Sequence, residues 1–392
     1  MRILLVHNYY QQPGGEDVVF AAEEALLSRN GHEVIRYTED NRRIDGMDRL
    51  SAAVATIWSV PTKDRLRALL REARPDVAHF HNIFPLISPS AYSACREAGV
   101  PVVQTLHNYR LLCPAATFFR AGRICEDCLH KTPPWPGALH GCYRKSASQT
   151  ALVGAMLTVH RWLKSWDRQV DLYVALTEFS REKFIQGGFP GNKIAVKPNF
   201  VAPDPGPRTD GGDYALFVGR IAEEKGVRTL LRAWRSLRDI PLKVVGDGPL
   251  REEIRAFVEA EELDRVGLLG SRTNADVVAL IKAARFLIFP SEWYETFGRV
   301  VIEAFACGVP VLASRLGAMT EIVEDGSTGL LFHPGDPEDL AAKVRWASEN
   351  SAAMRSMGKS ARKEYEEKYT PDGNYRLLLD VYRRAMQGTD NS

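Results

Sequence analysis

The sequence predicts an α/β protein of two doubly wound domains. Three observations carry that expectation. At 392 residues the chain exceeds what one compact core organises and fits two domains of ordinary size. Short apolar runs alternate with helical patterns in both halves, which is the arrangement of parallel sheets flanked by helices. Between the halves, Pro198 to Gly212 is dense in Pro, Gly and Asp, with Pro203-Asp204-Pro205-Gly206-Pro207 at its centre, and reads as a domain boundary. The expected division is residues 1–200, a linker over 201–212, a second domain over 213–370, and a final helix over 371–392 that crosses back to the first domain.

Bulk composition narrows the class. Apolar residues make up 45% of the chain and the formal net charge is +2, which fits an ordinary globular protein and argues against a dedicated nucleic-acid binder. The first half is mildly basic, which suits an anionic membrane surface or a phosphorylated acceptor. Met1 to Val6 is too short an apolar run for a signal peptide, and no segment approaches the roughly eighteen apolar residues of a membrane span. The expected setting is therefore the reducing cytosol, where clustered cysteines are thiols or metal ligands before they are disulfides.

In the first half, Ile3 to Val6 reads as a buried strand, followed by Pro13-Gly14-Gly15 and a helical pattern from Val18 to Leu27. Glycines there let the backbone approach a phosphate, although a Gly-Gly pair also fits an ordinary turn. Val34 to Tyr37 is the next strand, residues 48–72 look helical, and Asp76 to Phe80 is a strand with His79 and His81 near its end. Pro101 to Leu106 follows, and His107-Asn108 sits just past its carboxyl end, where doubly wound sheets bind ligands. A lone His is more often a packed loop residue, but this position favours function.

An insertion over 113–145 carries Cys113, Cys125, Cys128 and Cys142. Its C-x2-C pair lets two sulfurs reach one tetrahedral ion, and two more thiols would close a structural Zn²⁺ site. The alternatives are unligated loop cysteines or an adventitious disulfide. Residues 148–168 read as a helix whose end interleaves Trp162 and Trp166 with Arg161, Lys164 and Arg168. That surface suits a membrane interface, or both tryptophans are core. Leu172 to Ala175 and Ile194 to Val196 are strands, with a helix from Ser180 to Gln186 between them.

The second half opens with the strand Tyr214 to Val218, the turn Gly219-Arg220, and Glu223-Glu224-Lys225-Gly226 before a helix. Two cations beside a strand end and a helix start suit a diphosphate whose charge grows as a bond breaks; solvated surface cations are the alternative. Leu242 to Val245 closes in Gly246, and Leu268 to Gly270 leads to Ser271-Arg272. Phe286 to Phe289 is a buried strand ended by Pro290-Ser291. A loop with Glu295, Thr296, Phe297 and Gly298 then opens a helix carrying Val300, Val301, Ala304 and Phe305. The free N–H groups of that helix start favour an anion or a polar sugar. Glu295 and Glu303 frame the loop. A hydrolase couple would face one bond, whereas one acid on a loop and one inside a helix suit two parts of one ligand, or two solvated helix-end acids. Beyond them, Pro310 to Leu312 is a strand, Thr320 to Val323 carries the pattern on, and helices start near 338 and 371.

Glu295-x7-Glu303, set in Phe-Pro-Ser-x-x-x-Glu-Thr-Phe-Gly and followed by Glu-Ala-Phe-Ala-Cys-Gly-Val-Pro-Val, closely resembles the donor-site signature of the family 4 retaining glycosyltransferases of GT-B fold. The resemblance implies two Rossmann-like domains facing across a cleft that closes over the donor. In that family the first Glu and the amides of Thr296, Phe297 and Gly298 hold the donor sugar, and Glu303 binds the ribose. Gly14 and Gly15 face the donor phosphate, and His107 approaches the sugar. Arg220 and Lys225 grip the diphosphate beside Gly219 and Gly246, and Arg272 reaches toward the base. Two departures stand out: Asn108 where relatives often carry Asp, and Gly317-Ala318 where they often carry Gly-Gly.

The implied reaction moves a hexose from a UDP- or GDP-type sugar to a hydroxyl of a glycan or polyprenyl-linked acceptor, with retention. No cofactor serves the transfer, which agrees with the lack of an Asp-x-Asp sequence. The implied location is cytoplasmic, with peripheral contact at the inner membrane face. Two other readings remain open, a nucleotide-sugar epimerase of the same fold and a non-catalytic sugar-nucleotide or glycan-binding module.

Overall fold

A computed structural model describes residues 1–11, 14–209 and 211–389. Pro13 of the Gly-Gly loop, Asp210 of the linker and the last three residues of the expected final helix lie outside the described residues. The chain forms two compact units. One holds Met1–Phe118, Glu126–Pro198 and the chain from Asn374; the other holds Phe119–Cys125 and Asn199–Gly373.

In the first unit, strands β1 (Arg2–Tyr9), β2 (Glu33–Asp40), β3 (Val77–Asn82) and β4 (Val102–Thr105) form in succession. A short antiparallel pair, β5 (Phe119–Arg120) and β6 (Arg123–Ile124), falls within the insertion and belongs to the other unit. Strands β7 (Leu172–Ala175) and β8 (Ile194–Val196) complete the first sheet, whose order is β2-β1-β3-β4-β7-β8. Every pairing in it is parallel. Strands β3, β4 and β7 are buried along their whole length, as in a parallel sheet covered on both faces, whereas β2, at the sheet's edge, carries Glu33, Arg36, Thr38, Glu39 and Asp40. The C-terminal helix Pro371–Thr389 sets Leu378, Val381, Tyr382 and Ala385 into this unit's core beside Ile3, Leu5, Phe20 and Val174.

The second unit has strands β9 (Tyr214–Val218), β10 (Leu242–Val245), β11 (Val266–Gly270), β12 (Ala284–Phe289), β13 (Val311–Ser314) and β14 (Gly329–Phe332). Their order is β11-β10-β9-β12-β13-β14, again all parallel. Its core gathers Trp234, Leu230, Phe286, Ile288 and Leu340. Strand order therefore reverses between β1 and β3 in one unit and between β9 and β12 in the other, and such reversals open a crevice at the strands' carboxyl ends.

Several elements differ from expectation. The helix expected over 48–72 is two helices, Arg49–Ile57 and Val60–Ala73. Pro61 lacks the N–H that a continuous helix needs and starts a new one instead. The helix expected over 148–168 stops at Trp162, passes through Lys164 in the left-handed region at φ +53°, and restarts as Ser165–Arg168. That break separates the two tryptophans: Trp162 is 73% exposed, whereas Trp166 is 3% exposed. Neither a shared core nor a shared surface describes both. The stretch that carries the pattern on at Thr320 to Val323 is a short helix, Met319–Ile322. Among the described residues no helix is long and apolar enough to cross a membrane.

Candidate active site

The second unit's reversal point gathers most of the singled-out residues. Gly219-Arg220 leaves the end of β9, and Pro290-Ser291 leaves the end of β12. Two glycines make the loops close-fitting. Gly246 has φ +136°, and a Cβ on it would run into the Gly219 carbonyl. Gly226 has φ +66°, and a Cβ there would run into the Pro290 carbonyl. Only glycine adopts these conformations at such contact. The loop after β9 is thereby laid on the loop after β12, where the Glu292 amide donates to the Glu224 carbonyl at 2.9 Å.

This contact brings Lys225 to Glu295. The Lys225 ammonium donates to Glu295 Oε1 at 2.6 Å, and Ser291 Oγ donates to the same oxygen at 2.7 Å. The ammonium also lies 5.1 Å from the Trp293 ring centroid and 5.8 Å from that of Phe289. Aromatic faces stabilise a cation where water is scarce. Glu295, Thr296, Phe297 and Glu303 are all buried.

Gly298, at φ +144°, turns the chain into the helix Arg299–Ala306, whose start has no side-chain cap. Of its first amides, that of Val301 donates back to the Gly298 carbonyl at 2.9 Å, while those of Arg299 and Val300 have no partner within the helix. Glu303 has its own cation, Arg299, at 2.8 Å. Burial pushes the Glu303 carboxyl above its ordinary range, and the Arg299 charge opposes that. The two acids are therefore bound to different cations and do not form a facing couple. Arg220 is exposed, and among the described residues its side chain makes no hydrogen bond or ion pair. Arg272 is exposed too and donates only to the Ser271 carbonyl, at 3.1 Å. Sequence reasoning missed Glu292, which accepts from Thr229 Oγ1 at 2.6 Å and is raised by burial.

The first unit collects its own polar set at the carboxyl ends of β1, β3 and β4. Gly14 opens the helix Gly15–Arg29, and its amide donates to Asp17 Oδ2 at 2.7 Å. Asp17 Oδ1 pairs with His7 Nε2, also at 2.7 Å. His107 is half-buried, with its Nε2 3.0 Å from His81 Nδ1. Burial drives the His107 imidazole well below its ordinary pKa; the charges of His81, His7 and His79 push the same way, and Glu23 opposes them. Asn108 Oδ1 accepts the Arg110 amide at 3.0 Å, a turn that its side chain closes.

Two acids here were not foreseen. Glu16, directly after the glycines, is pushed up to about 8 by burial, with the Asp17 charge adding to the effect. Glu23 is fully buried and paired with the equally buried Lys197, at 2.7 Å. A fully buried carboxylate inside a helix leaves no mark in an apolar periodicity, so nothing in the pattern points to it.

Among the described residues, one group sets three metal-type donors within 4.8 Å of one another: Glu23, His79 and His81. Lys197 already supplies a positive charge there. His79 also engages Tyr382 Oη at 2.9 Å and Thr105 Oγ1 at 2.7 Å, so the group is a hydrogen-bonded cluster rather than an ion cage. No cysteine belongs to that group. Cys128 Sγ and the Cys142 amide both lie against Gly137, while Cys125 falls in the segment assigned to the other unit.

Comparison with known proteins follows the same division. The model for glycosyl transferases group 1 matches residues 203–364, and the model for glycosyltransferase family 4 matches residues 13–205. The chain belongs to the family 4 glycosyltransferases. An uncharacterised glycosyltransferase of Methanocaldococcus jannaschii is 37% identical over 161 residues, 41% of this chain and 45% of that relative. The chain thus spans about half the length of that curated relative. The 2-deoxystreptamine glucosyltransferase of Streptomyces kanamyceticus is 29% identical over 301 residues, 75% of this chain and 73% of the relative. The crystal structure of Anabaena HepE in complex with UDP has a TM-score of 0.69 at 18% identity, covering 97% of this chain and 99% of that one. The family's fold is GT-B, and the two parallel-sheet units are its two Rossmann-like halves.

Proposed function

We propose that the protein is a retaining, metal-independent hexosyltransferase using a UDP- or GDP-type sugar. The Lys225–Glu295 pair beside the uncapped start of Arg299–Ala306 is the observation that carries this reading. Lys225, with Arg220, offers charge to a diphosphate. Glu295 and the amides at Thr296 to Gly298 accept from and donate to sugar hydroxyls, and Glu303 receives the ribose hydroxyls. Anabaena HepE, with the same fold, has been seen with UDP-glucose, which supports a nucleotide-sugar donor.

In the step itself the bond from the anomeric carbon to the diphosphate oxygen breaks, and its electron pair stays on that oxygen. The acceptor oxygen bonds the same carbon from the same face, and its proton passes to the leaving diphosphate. Lys225 and Arg220 stabilise the charge that develops there. His107 approaches the donor sugar, with Gly14 and Gly15 near the bond being broken. The acceptor is a glycan or polyprenyl-linked hydroxyl. Exposed Trp162 and Leu163 among Arg161 and Lys164 support peripheral contact with an anionic membrane, and with it a cytoplasmic location.

A thermal-shift panel of UDP-, GDP- and ADP-sugars identifies the donor. Proton NMR of the product then reads the anomeric configuration. Stabilisation by one nucleotide sugar and product only with added acceptor are expected. Inversion, or conversion of the donor without an acceptor, overturns the reading. A structural zinc on Cys113, Cys125, Cys128 and Cys142 is proposed on their C-x2-C spacing. Metal analysis of freshly purified, reduced protein that finds no zinc removes it.

A further inference from the structure

A cavity of about 380 Å³ opens at the amino ends of β9, β12 and β13, the end of the second sheet opposite to Lys225 and Glu295. Its walls come from the linker before β9, the turn at Gly308 before β13, and one face of the helix Ser351–Lys368. A space of that volume holds a small molecule. Two glycines let the helix and the turn touch. A Cβ on Gly358 would lie 2.4 Å from the Gly308 carbonyl oxygen, and Gly308 itself sits at φ +67°.

The charged side chains that line this space are all cations: Arg208 from the linker, and Arg355, Lys359 and Arg362 at helical spacing on a single face. Arg362 is answered. It donates to both carboxylate oxygens of Asp204 at 2.7 Å and to Glu366 at 2.6 Å. The other three are not. Among the described residues, Arg208, Arg355 and Lys359 form no ion pair. The Arg208 side chain donates only to carbonyls, those of Ala284 and Arg285, and burial pulls its pKa below the ordinary value. Arg355 and Lys359 are exposed one helical turn apart, a spacing at which like charges repel. The negative end of the helix Arg299–Ala306 also points here, yet its last carbonyls are already used. Ala306 accepts from Arg362 at 2.6 Å, and Cys307 accepts the Arg208 amide at 2.9 Å. The three unpaired cations therefore exceed what that helix end needs, and they line one concavity instead of being dispersed over the surface.

We infer that this cavity is a binding site for a phosphate-bearing anion, remote from the loop that carries Glu295. The guanidinium groups of Arg208 and Arg355 offer forked donors that match phosphate oxygens, and the Lys359 ammonium adds a point charge. A soluble phosphorylated metabolite and the headgroup of an acidic lipid present those same oxygens. The helix Arg299–Ala306, about 12 Å long, separates this cavity from Gly298. The site does not depend on the function proposed above.

Calorimetric titration of the full chain with inorganic pyrophosphate tests the inference, with three variants. Arg355→Glu/Lys359→Glu reverses two exposed charges that line the cavity. Lys363→Glu/Lys368→Glu reverses two charges on the same helix that do not line it. Lys225→Met weakens the other place where a diphosphate is proposed to bind. Pyrophosphate should bind the wild type, and the first variant should lose about tenfold or more in affinity. The other two variants should keep the site. Flotation with vesicles of phosphatidylglycerol in phosphatidylcholine separates the two sources. Capture that pyrophosphate competes away, and that the first variant loses, supports a lipid headgroup; pyrophosphate binding without capture supports a soluble phosphate. Either result upholds the site. Three results overturn it: no pyrophosphate binding by the wild type, loss of all binding in Lys225→Met, or affinities that do not distinguish the first variant from the wild type or from Lys363→Glu/Lys368→Glu. Failure of every nucleotide sugar to bind the wild type would overturn the proposed function and leave this titration to decide the present point.

Discussion

Replacing Lys225 by Met removes its charge from Glu295 and keeps most of its volume. At the observed 2.6 Å and an effective dielectric of about 20, the bare attraction is roughly 6 kcal/mol. The Lys225 side chain retains 21% of its exposure and that of Glu295 10%, so solvent returns part of that. Breaking one partner of a mostly enclosed pair costs on the order of 3 kcal/mol, which is about two powers of ten in kcat/KM. Glu295→Gln should cost a similar amount, since the amide oxygen can still accept from Lys225 and Ser291 but no longer balances the ammonium charge. Because the two groups act as one unit, the double variant should be little worse than either single one, with a coupling above about 1.5 kcal/mol. Initial-rate assays on the four proteins of the cycle, with UDP affinity measured by calorimetry, give the number. Losses that simply add, or near-normal turnover by both single variants, would refute the idea that the pair forms the donor site.

Three further outcomes follow from the structure. Glu303→Gln should raise the melting temperature at pH 7 to 8 and leave it unchanged near pH 4. The folded state holds this carboxyl's pKa above its unfolded value, so the native protein loses stability as pH rises through the raised pKa, and a neutral amide has no such loss; a pH series of melts checks this. The same variant should bind UDP more weakly. Lys197→Met should lower stability by about 3–5 kcal/mol in urea melts, and adding Glu23→Gln should restore most of it, because the damage comes from the stranded carboxylate. Gly298→Ala should cost roughly 1–3 kcal/mol, since φ is +144° and the new Cβ would lie 2.6 Å from Met319 Cε. Its UDP-induced thermal shift should shrink with it.

Much of this was legible in the chain itself. The strands at Tyr214, Leu242 and Phe286 announce themselves as short apolar runs before Gly or Pro, and those at Ile3 and Val102 run into His7 and His107. The loop proposed for the donor is contiguous, so Glu295, Gly298 and Glu303 are read from one stretch. The helix breaks at Trp58 and Lys164 were harder. One follows from a proline that starts rather than ends a helix, and the other from a single left-handed residue with no glycine to mark it. Arg220 and Arg272 were chosen by position, and the fold leaves both exposed.

Sequence alone determined the alternation of strands and helices and the contiguity of the Glu295–Glu303 loop, because each depends on residues close together along the chain. Tertiary structure alone decided the pairings. Lys225 meets Glu295 across 70 positions, Glu23 meets Lys197 across 174, and Tyr382 reaches His79 across 303. Which charge faces which depends on where a parallel sheet returns the chain, and periodicity holds no record of that. Burial then pushes His107 down and Glu303 up, while at Glu23 the buried Lys197 overrides it, because these effects are set by everything packed around a side chain rather than by its neighbours in sequence.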